Sequence, residues 1–158
     1  MTYIGDIMSV RSERIALAGE YLAASYLLRF CDSVIQTPPG HKADLILDHD
    51  NNLYRVQVKT TNTIYKRNRK DYYRWEIRTS KRTVNNIREN KVVRYGNGEV
   101  DIFCFVALPI NKIFFGAYDE TNSTEVSKTI DNLNKINSED SLIETLLKIN
   151  KTPKLNPL

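Results

Sequence analysis

The residue types best suited to chemistry lie on two neighbouring segments of the chain. Residues 43–47 carry Asp44, and residues 53–60 carry Gln57 and Lys59. Side chains at positions i and i+2 point to the same face of a strand, so Gln57 and Lys59 are expected to project together. Pairing of the two segments through the short polar turn between them would bring Asp44 close to both.

This set of groups is typical of a site for a hard divalent cation. Gln57 offers an amide oxygen, Val58 a backbone carbonyl and Asp44 a carboxylate, which is an oxygen set that Mg²⁺ accepts while keeping several waters. The ammonium group of Lys59 would lie beside the position where an attacking water is polarised.

Apolar periodicity predicts the elements that must position these groups. A helix is expected from Ser12, with Ser12 as its N-cap and Glu13 in its first turn. The apolar stripe of this helix is expected at Ile15, Ala18, Leu22 and Ser25. Strands are expected at residues 33–36, 43–47, 53–60, 72–78, 100–108 and 112–118, a polar loop at 62–71 and a helix at 82–90.

The order of these elements indicates an α/β or α+β fold with a mixed central sheet flanked by helices. The 158 residues fit one domain. We expect its core in residues 1–120 and a C-terminal extension at 121–158, which either completes the same domain or makes an oligomer contact. In that extension a capping box beginning at Ser141 predicts a short helix to Ile149.

Charge is strongly segregated along the chain. Residues 55–94 hold 13 basic and 3 acidic residues, whereas the whole chain has a net charge of only +4. One basic surface is therefore expected, for which a phosphate backbone is the usual partner, although a solvated charged face is the simpler alternative.

Basic residues interleaved with aromatic ones suit a segment that contacts DNA phosphates and enters a groove. The expected DNA-binding residues are Lys66, Arg67, Arg69, Lys70, Arg78, Lys81 and Arg82, and the neighbouring rings are Tyr65, Tyr72, Tyr73 and Trp75. Trp75 is the exception: it lies in a strand between Arg74 and Glu76, and we expect its ring to face the core.

Composition argues against several other classes of protein. The longest apolar run, residues 102–108, is far shorter than the ~18 residues of a membrane-spanning helix, and the N-terminus lacks the pattern of a signal peptide. Cys31 and Cys104 cannot form a disulfide framework, so we expect reduced thiols and a cytoplasmic protein. His41 and His49 are too few and too irregularly spaced for a zinc site.

The motifs resemble the PD-(D/E)xK nuclease superfamily over roughly residues 12–118. The similar segments are Gly-Glu-Tyr-Leu-Ala-Ala at 19–24, Ala-Asp-Leu at 43–45 and Val-Gln-Val-Lys-Thr-Thr at 56–61. The last segment is most similar to the branch containing group I intron homing endonucleases, which has a Gln-x-Lys variant. Archaeal Holliday-junction resolvases share the same core.

The resemblance implies a role for each matched residue. Glu20, Asp44, Gln57 and Lys59 would form the catalytic set, and Glu20, Asp44, Gln57 and the Val58 carbonyl would hold Mg²⁺, for which Mn²⁺ could substitute. Glu13 is the alternative acidic residue on the first helix. The chain departs from the family at Gln57, where Asp or Glu is usual, and at Ala43, where Pro is common. The neutral Gln57 should weaken cation binding, which Glu20 could offset.

The sequence therefore predicts a Mg²⁺-dependent, site-specific endonuclease of the homing or restriction-like kind, and the resemblance implies a product with a 5′-phosphate. Cutting both strands of double-stranded DNA most simply needs two sites, so a homodimer or a dimer of dimers is expected. Contacts between copies are expected from Leu142, Ile143, Leu146 and Leu147. A junction resolvase, a DNA-binding module without activity and an interaction domain without DNA remain as alternatives.

Overall fold

The computed structural model describes residues 4–78, 83–84, 87–88, 95–96, 98–118 and 124–151. In these ranges the helices are α1 (Ile4–Leu27), α2 (Ile130–Lys135) and α3 (Ser138–Lys151). The strands are β1 (Ser33–Gln36), β2 (Leu45–His49), β3 (Asn52–Thr61), β4 (Tyr65–Arg67), β5 (Lys70–Glu76), β6 (Thr83–Val84), β7 (Ile87–Arg88), β8 (Ile102–Ala107), β9 (Lys112–Ala117) and β10 (Glu125–Thr129).

The central sheet has five strands in the order β1-β2-β3-β8-β9. Its strands pair antiparallel except for β3 and β8, which are parallel. The predicted fold class, a mixed sheet flanked by helices, is thus confirmed. Both predicted hairpins are present, and β8 is buried at every position, as its continuous apolar run predicts.

Each face of this sheet carries its own core. On one face, Val56 and Val58 pack with Ala23 and Leu27 of α1 and with Leu142 of α3. The opposite face is covered by a three-stranded sheet, β10-β5-β4, and by α2.

The second core is built around Trp75. Its ring is 2% exposed and makes edge contacts with Phe105 and Phe114, and its Nε1–H donates to the Val106 carbonyl at 3.0 Å. Because the buried ring also has a hydrogen-bond partner, Trp75 fits the core position predicted for it.

The first helix differs from the prediction in its start and in its buried stripe. It begins at Ile4, so Ser12 is an exposed residue inside the helix and not its N-cap. Among the helix positions from Val10 onward, whose burial is described, the buried ones are Gly19, Ala23 and Leu27, spaced four residues apart, whereas Ala18 and Ser25 are exposed. The stripe was misplaced because Gly19, which has no side chain, lies against the sheet.

Three further predictions about secondary structure were wrong. The predicted loop at 62–71 contains β4, a turn at Asn68 and Arg69 with positive φ, and the first two residues of β5, whose remainder lies in the predicted strand at 72–78. Within the predicted helix 82–90, the four described residues pair as β6 and β7. Helix α3 begins at Ser138 and not at Ser141, whose hydroxyl accepts the Phe115 N–H at 3.1 Å.

Residues after 123 extend both layers of the structure. Strand β10 pairs antiparallel with β5, and α3 packs beside β9. No helix in the described ranges combines the length and apolarity needed to cross a bilayer.

Candidate active site

The site forms where β3 continues past the end of β2. Asp44 immediately precedes β2, and its backbone N–H donates to the Val56 carbonyl at 2.9 Å. Its carboxylate Oδ2 accepts the backbone N–H of Val58 at 2.8 Å. In a longer β2, a backbone carbonyl would accept the Val58 N–H. Here the Asp44 carboxylate accepts it instead, and this hydrogen bond fixes the carboxylate at the end of β2.

Gln57 lies directly against this carboxylate. Its Nε2 donates to Asp44 Oδ2 at 2.5 Å and lies 3.5 Å from the Val58 carbonyl oxygen. One positively polarised NH₂ group is thus placed between two oxygens that the sequence predicts as metal ligands.

Glu20 approaches the same place from α1. Its Oε2 accepts a hydrogen bond from Gln36 Nε2 of β1 at 2.9 Å. Burial raises the pKa of Asp44, and the charge of Glu20 adds to that effect. Glu13 lies earlier on α1 at an exposed position. The structure therefore brings Glu20 close enough for its charge to act on the Asp44 carboxylate.

Lys59 projects from β3 on the opposite face of the sheet from α1. Its Nζ donates to the Arg78 carbonyl at 3.1 Å and lies 5.0 Å from the centre of the Tyr95 ring. A carbonyl and an aromatic face hold the ammonium group without neutralising it. Gln36 and Tyr95 were not predicted from the sequence, because only tertiary packing brings them to Glu20 and Lys59.

Burial shifts both ionisable groups at the centre toward neutrality. It raises the pKa of Asp44 from 3.8 to about 6; the Val58 N–H opposes this, the Glu20 charge adds to it, and Lys59 and Gln57 oppose it. It lowers the pKa of Lys59 from 10.5 to about 8, against the attraction of Asp44 and Glu76. Desolvation dominates in each case, so the site favours a partner that can supply compensating charge.

The donor set fits a divalent metal ion. Glu20 and Asp44 offer carboxylate oxygens whose charges repel, and Val58 and Gln57 offer carbonyl oxygens, which together suit Mg²⁺ or Mn²⁺. The Gln57 NH₂ group donates a hydrogen bond to the Asp44 carboxylate. A divalent cation would interact with the same carboxylate more strongly. Rotation of this amide would turn its oxygen toward the same position.

The basic residues expected to bind DNA are distributed over a hairpin and the segment that follows it. Lys66, Arg67, Arg69 and Lys70 form the tip of the β4–β5 hairpin, and all four are exposed. Arg78 lies beyond β5, and its guanidinium donates to Glu76 at 2.6 and 2.8 Å. Lys81 and Arg82 lie outside the described residues.

One face of this hairpin combines rings and positive charges. Tyr65 and Tyr72 stack with ring centres 5.6 Å apart, and the Arg74 guanidinium lies 5.5 Å from the Tyr65 ring. Arg67 and Lys70 are cross-strand partners two residues further out on the same face. Within the described ranges, neither of them has an ion pair.

A second group of possible ligands lies at the other end of β2. Asp32, His49 and Asp50 have ligand atoms within 4.8 Å of one another, and the two aspartates are exposed. Asp32 Oδ2 already accepts the Asp50 N–H at 3.1 Å. This group is separated from Asp44 by the length of β2.

The fold has a five-stranded mixed sheet, an acidic residue on the first helix, Asp44 immediately before β2 and Gln57-x-Lys59 on β3. This is the fold of a restriction-endonuclease-like protein. Residues 18–139 match the model of the PD-(D/E)XK endonuclease family, and the chain belongs to that family. It is therefore a DNA endonuclease, as the motifs predicted.

The fold comparison agrees with this assignment. The solved structure of the bacterial homing endonuclease I-Ssp6803I is similar with a TM-score of 0.65 at 19% sequence identity. The match covers 88% of this chain and 93% of the other. No curated protein sequence matches the chain.

The raised pKa of Asp44 predicts that this carboxylate destabilises the metal-free fold. Since its folded-state pKa of about 6 exceeds the 3.8 expected on unfolding, its unfavourable contribution is absent below pH ~4, grows up to pH ~6 and is constant above it. Asp44→Asn, which keeps an oxygen for the Val58 N–H, should raise the free energy of unfolding by about 2 kcal/mol at pH 7.5 in EDTA. Urea titrations across this pH range measure the difference.

Asp101→Asn is the matched control, because the Asp101 carboxylate pairs with the Arg55 guanidinium at 3.0 and 3.1 Å. This variant should lower stability at neutral pH. An Asp44→Asn protein less stable than the parent at pH 7.5 would contradict the desolvation argument.

Proposed function

We propose that this endonuclease hydrolyses phosphodiester bonds at specific sites in duplex DNA with Mg²⁺ as its cofactor, and that Mn²⁺ substitutes. The observation that carries the proposal is that Glu20 and Lys59 lie close enough for their charges to act on the Asp44 carboxylate, which Gln57 contacts by a hydrogen bond. The solved neighbour is a homing endonuclease by name, which supports a site-specific role over a general nuclease role.

Each residue has a distinct task in this mechanism. Glu20, Asp44, Gln57 and the Val58 carbonyl hold the metal ion. When bound, the ion supplies positive charge that stabilises the negative charge building on the scissile phosphate. Gln57 makes the ligand set less negative than an acidic residue would, so Glu20 becomes more important for holding the ion.

Lys59 is proposed to orient the attacking water and assist its deprotonation. Its pKa of about 8 lies close to physiological pH, so the amine exchanges protons there more readily than an ordinary lysine. The Arg78 carbonyl and the Tyr95 ring restrict its side chain, which reduces the entropy lost on reaching the reactive geometry.

The β4–β5 hairpin is proposed as the main DNA-binding element. Two antiparallel strands form a ribbon narrow enough for the major groove. Its tip places four positive charges, at Lys66, Arg67, Arg69 and Lys70, outside the core, where phosphate contacts can form without rearrangement of the fold. Arg78, Lys81 and Arg82 are proposed to extend this surface.

We further propose a homodimer, since the strands of a duplex are antiparallel and two-fold symmetry presents one site to each. Of the residues expected to supply contacts, Leu142 and Leu146 are buried in the core and only Ile143 and Leu147 are exposed. Helix α1 offers a larger apolar face, with 43% of Val10, 40% of Leu17 and 59% of Tyr21 exposed. Their spacing of seven and four residues places them on one side of the helix, and a second copy of the chain is proposed to cover it.

Loss of the Lys59 amine should abolish cleavage without loss of DNA binding. Lys59→Ala is expected to cut at least ~10³-fold more slowly in Mg²⁺, since proton transfer by a positioned group contributes roughly this much. Cleavage of linear duplex and four-way junction substrates, together with binding in EDTA, measures both effects. Lys42→Ala, an exposed lysine near Asp44 in sequence, is the control and should cut normally.

The same assay tests the whole proposal. Cleavage of the junction in preference to linear duplex would favour a resolvase, and binding without any cleavage by the parent protein would favour an inactive DNA-binding module. Normal cutting by Lys59→Ala would remove Lys59 from the mechanism.

Neutralising the hairpin tip should weaken binding to all DNA sequences alike. The plot of log K against log salt has a negative slope. Replacement of the four basic residues by Gln is expected to make that slope shallower by about 3–4, because each lost phosphate contact removes roughly 0.9. Fluorescence anisotropy at several salt concentrations measures the slope. The control changes four exposed charges elsewhere, at Arg11, Arg14, Arg29 and Lys135. An unchanged slope in the hairpin variant would place the DNA-binding surface elsewhere.

Disruption of the apolar face of α1 should separate the dimer. Leu17→Glu introduces a charge at the centre of that face, and sedimentation velocity should show a monomer where the parent protein is a dimer. Leu147→Glu, at an exposed position on α3, should leave the dimer intact. A monomeric parent protein would contradict the dimer, and dissociation by Leu147→Glu alone would move the contact to α3.

A further inference from the structure

Gly19 marks the place where helix α1 comes into contact with the sheet. The preceding residues 10–18 are exposed except for Ile15, which is partly buried, whereas Gly19 itself is buried. From here the buried positions continue at Ala23 and Leu27. The first two residues of this contact stripe are small, so the two backbones approach closely at its N-terminal end.

The approach is close enough to exclude any side chain at residue 19. A Cβ placed on Gly19 would lie 1.8 Å from Thr60 Oγ1 and 2.8 Å from Thr60 Cβ and Cγ2. Rotation about the Thr60 side chain cannot remove the clash, because Thr60 Cβ itself is too near. Strand β3 is held in the sheet by its hydrogen bonds to the neighbouring strand β8, where Thr60 is opposite Val106. A larger residue at position 19 would therefore push the helix outward.

The Thr60 hydroxyl does not account for this close packing. Its Oγ1 is buried and has no hydrogen-bond partner in the described part of the chain. Burial of an unpartnered hydroxyl is unfavourable, so the contact is maintained against a local cost.

The consequence of the close contact falls on the next residue, Glu20. Its carboxylate accepts the Gln36 amide at 2.9 Å and interacts with the charge of Asp44. A helix is stiff over one turn, so an outward shift at Gly19 moves the Glu20 backbone away from the sheet edge by a similar distance.

We propose that Gly19 is a positioning residue for the metal site: the missing side chain lets α1 rest on Thr60, and this contact sets the distance from Glu20 to Asp44. Gly19 touches neither DNA nor the metal and acts through Glu20. The inference rests on the metal-binding role proposed above for Glu20 and Asp44.

The test is Gly19→Ala in the full-length protein. We expect Mn²⁺ to bind about 10- to 100-fold more weakly, as measured by isothermal titration in the presence of duplex DNA, because changes at residues that orient ligands have effects of this size. The Mn²⁺ concentration for half-maximal cleavage should rise by the same factor. DNA binding in EDTA should be unchanged. Ala18→Leu adds bulk at the exposed neighbouring position and should bind Mn²⁺ like the parent protein.

A second substitution that removes the Thr60 side chain should reverse the effect of Gly19→Ala. Thr60→Gly removes all three atoms that a Cβ at residue 19 would meet, so Gly19→Ala with Thr60→Gly should recover Mn²⁺ affinity relative to Gly19→Ala alone. If Gly19→Ala does not fold, the double variant should fold. A double variant that fails while Thr60→Gly folds would overturn the contact as the cause.

Two other results would overturn the inference. Gly19→Ala with parental Mn²⁺ affinity and stability would show that the helix is not displaced, and lower stability with parental Mn²⁺ affinity would show a purely structural role. Failure of the parent protein to bind Mn²⁺ or cut with it contradicts the proposed function itself, so the two failures are distinguishable.

Discussion

The site depends on one hydrogen bond, which the Val58 N–H donates to the Asp44 carboxylate. It lets β3 run beyond its neighbour β2 without leaving that backbone donor unpaired at a partly buried edge. The same bond orients the carboxylate toward Gln57, and Lys59 emerges two residues further along β3 on the same face as Gln57, away from α1. One polar contact therefore ends a strand and arranges the groups of the site around it.

This arrangement of charges destabilises the folded protein in the absence of a cation. Asp44 is desolvated and lies near a second carboxylate, and the Lys59 ammonium is desolvated as well, so each charged group is less stable than it would be in water. The surrounding structure, with buried valines on one face and Trp75, Phe105 and Phe114 on the other, supplies the stability that holds them in place. In the role proposed for it, Asp44 would therefore lower the stability of the metal-free fold.

The sequence predicted the sheet more successfully than the helices. Alternating residues in β3 and the continuous apolar run of β8 reflect burial directly, and both strands formed where expected. Helix α1 was harder, because Gly19 contributes no hydrophobic signal although it is the point of closest contact. The strand at 72–78 was predicted and forms most of β5, but β4 was predicted as loop because its three residues are exposed. The turn of this hairpin uses Asn68 and Arg69 where glycine is the usual signal.

For the candidate site, short motifs pointed to Asp44, Gln57 and Lys59, which are close in sequence and which the structure places immediately before β2 and on β3. The same method could not find Tyr95 or Gln36, whose positions follow from packing between distant parts of the chain. It also selected Leu142 and Leu146 as surface contacts, because an amphipathic pattern shows which residues share a face but not what that face meets.

The separation of the β4–β5 tip from both cores has an evolutionary consequence. Its exposed residues support no packing, so mutations there cost little folding energy and leave the groups around Asp44 unchanged. The charge and shape of this tip can therefore change by single substitutions while the folded arrangement around Asp44 stays the same. The positive φ of Asn68 and Arg69 limits which residues the turn accepts without strain.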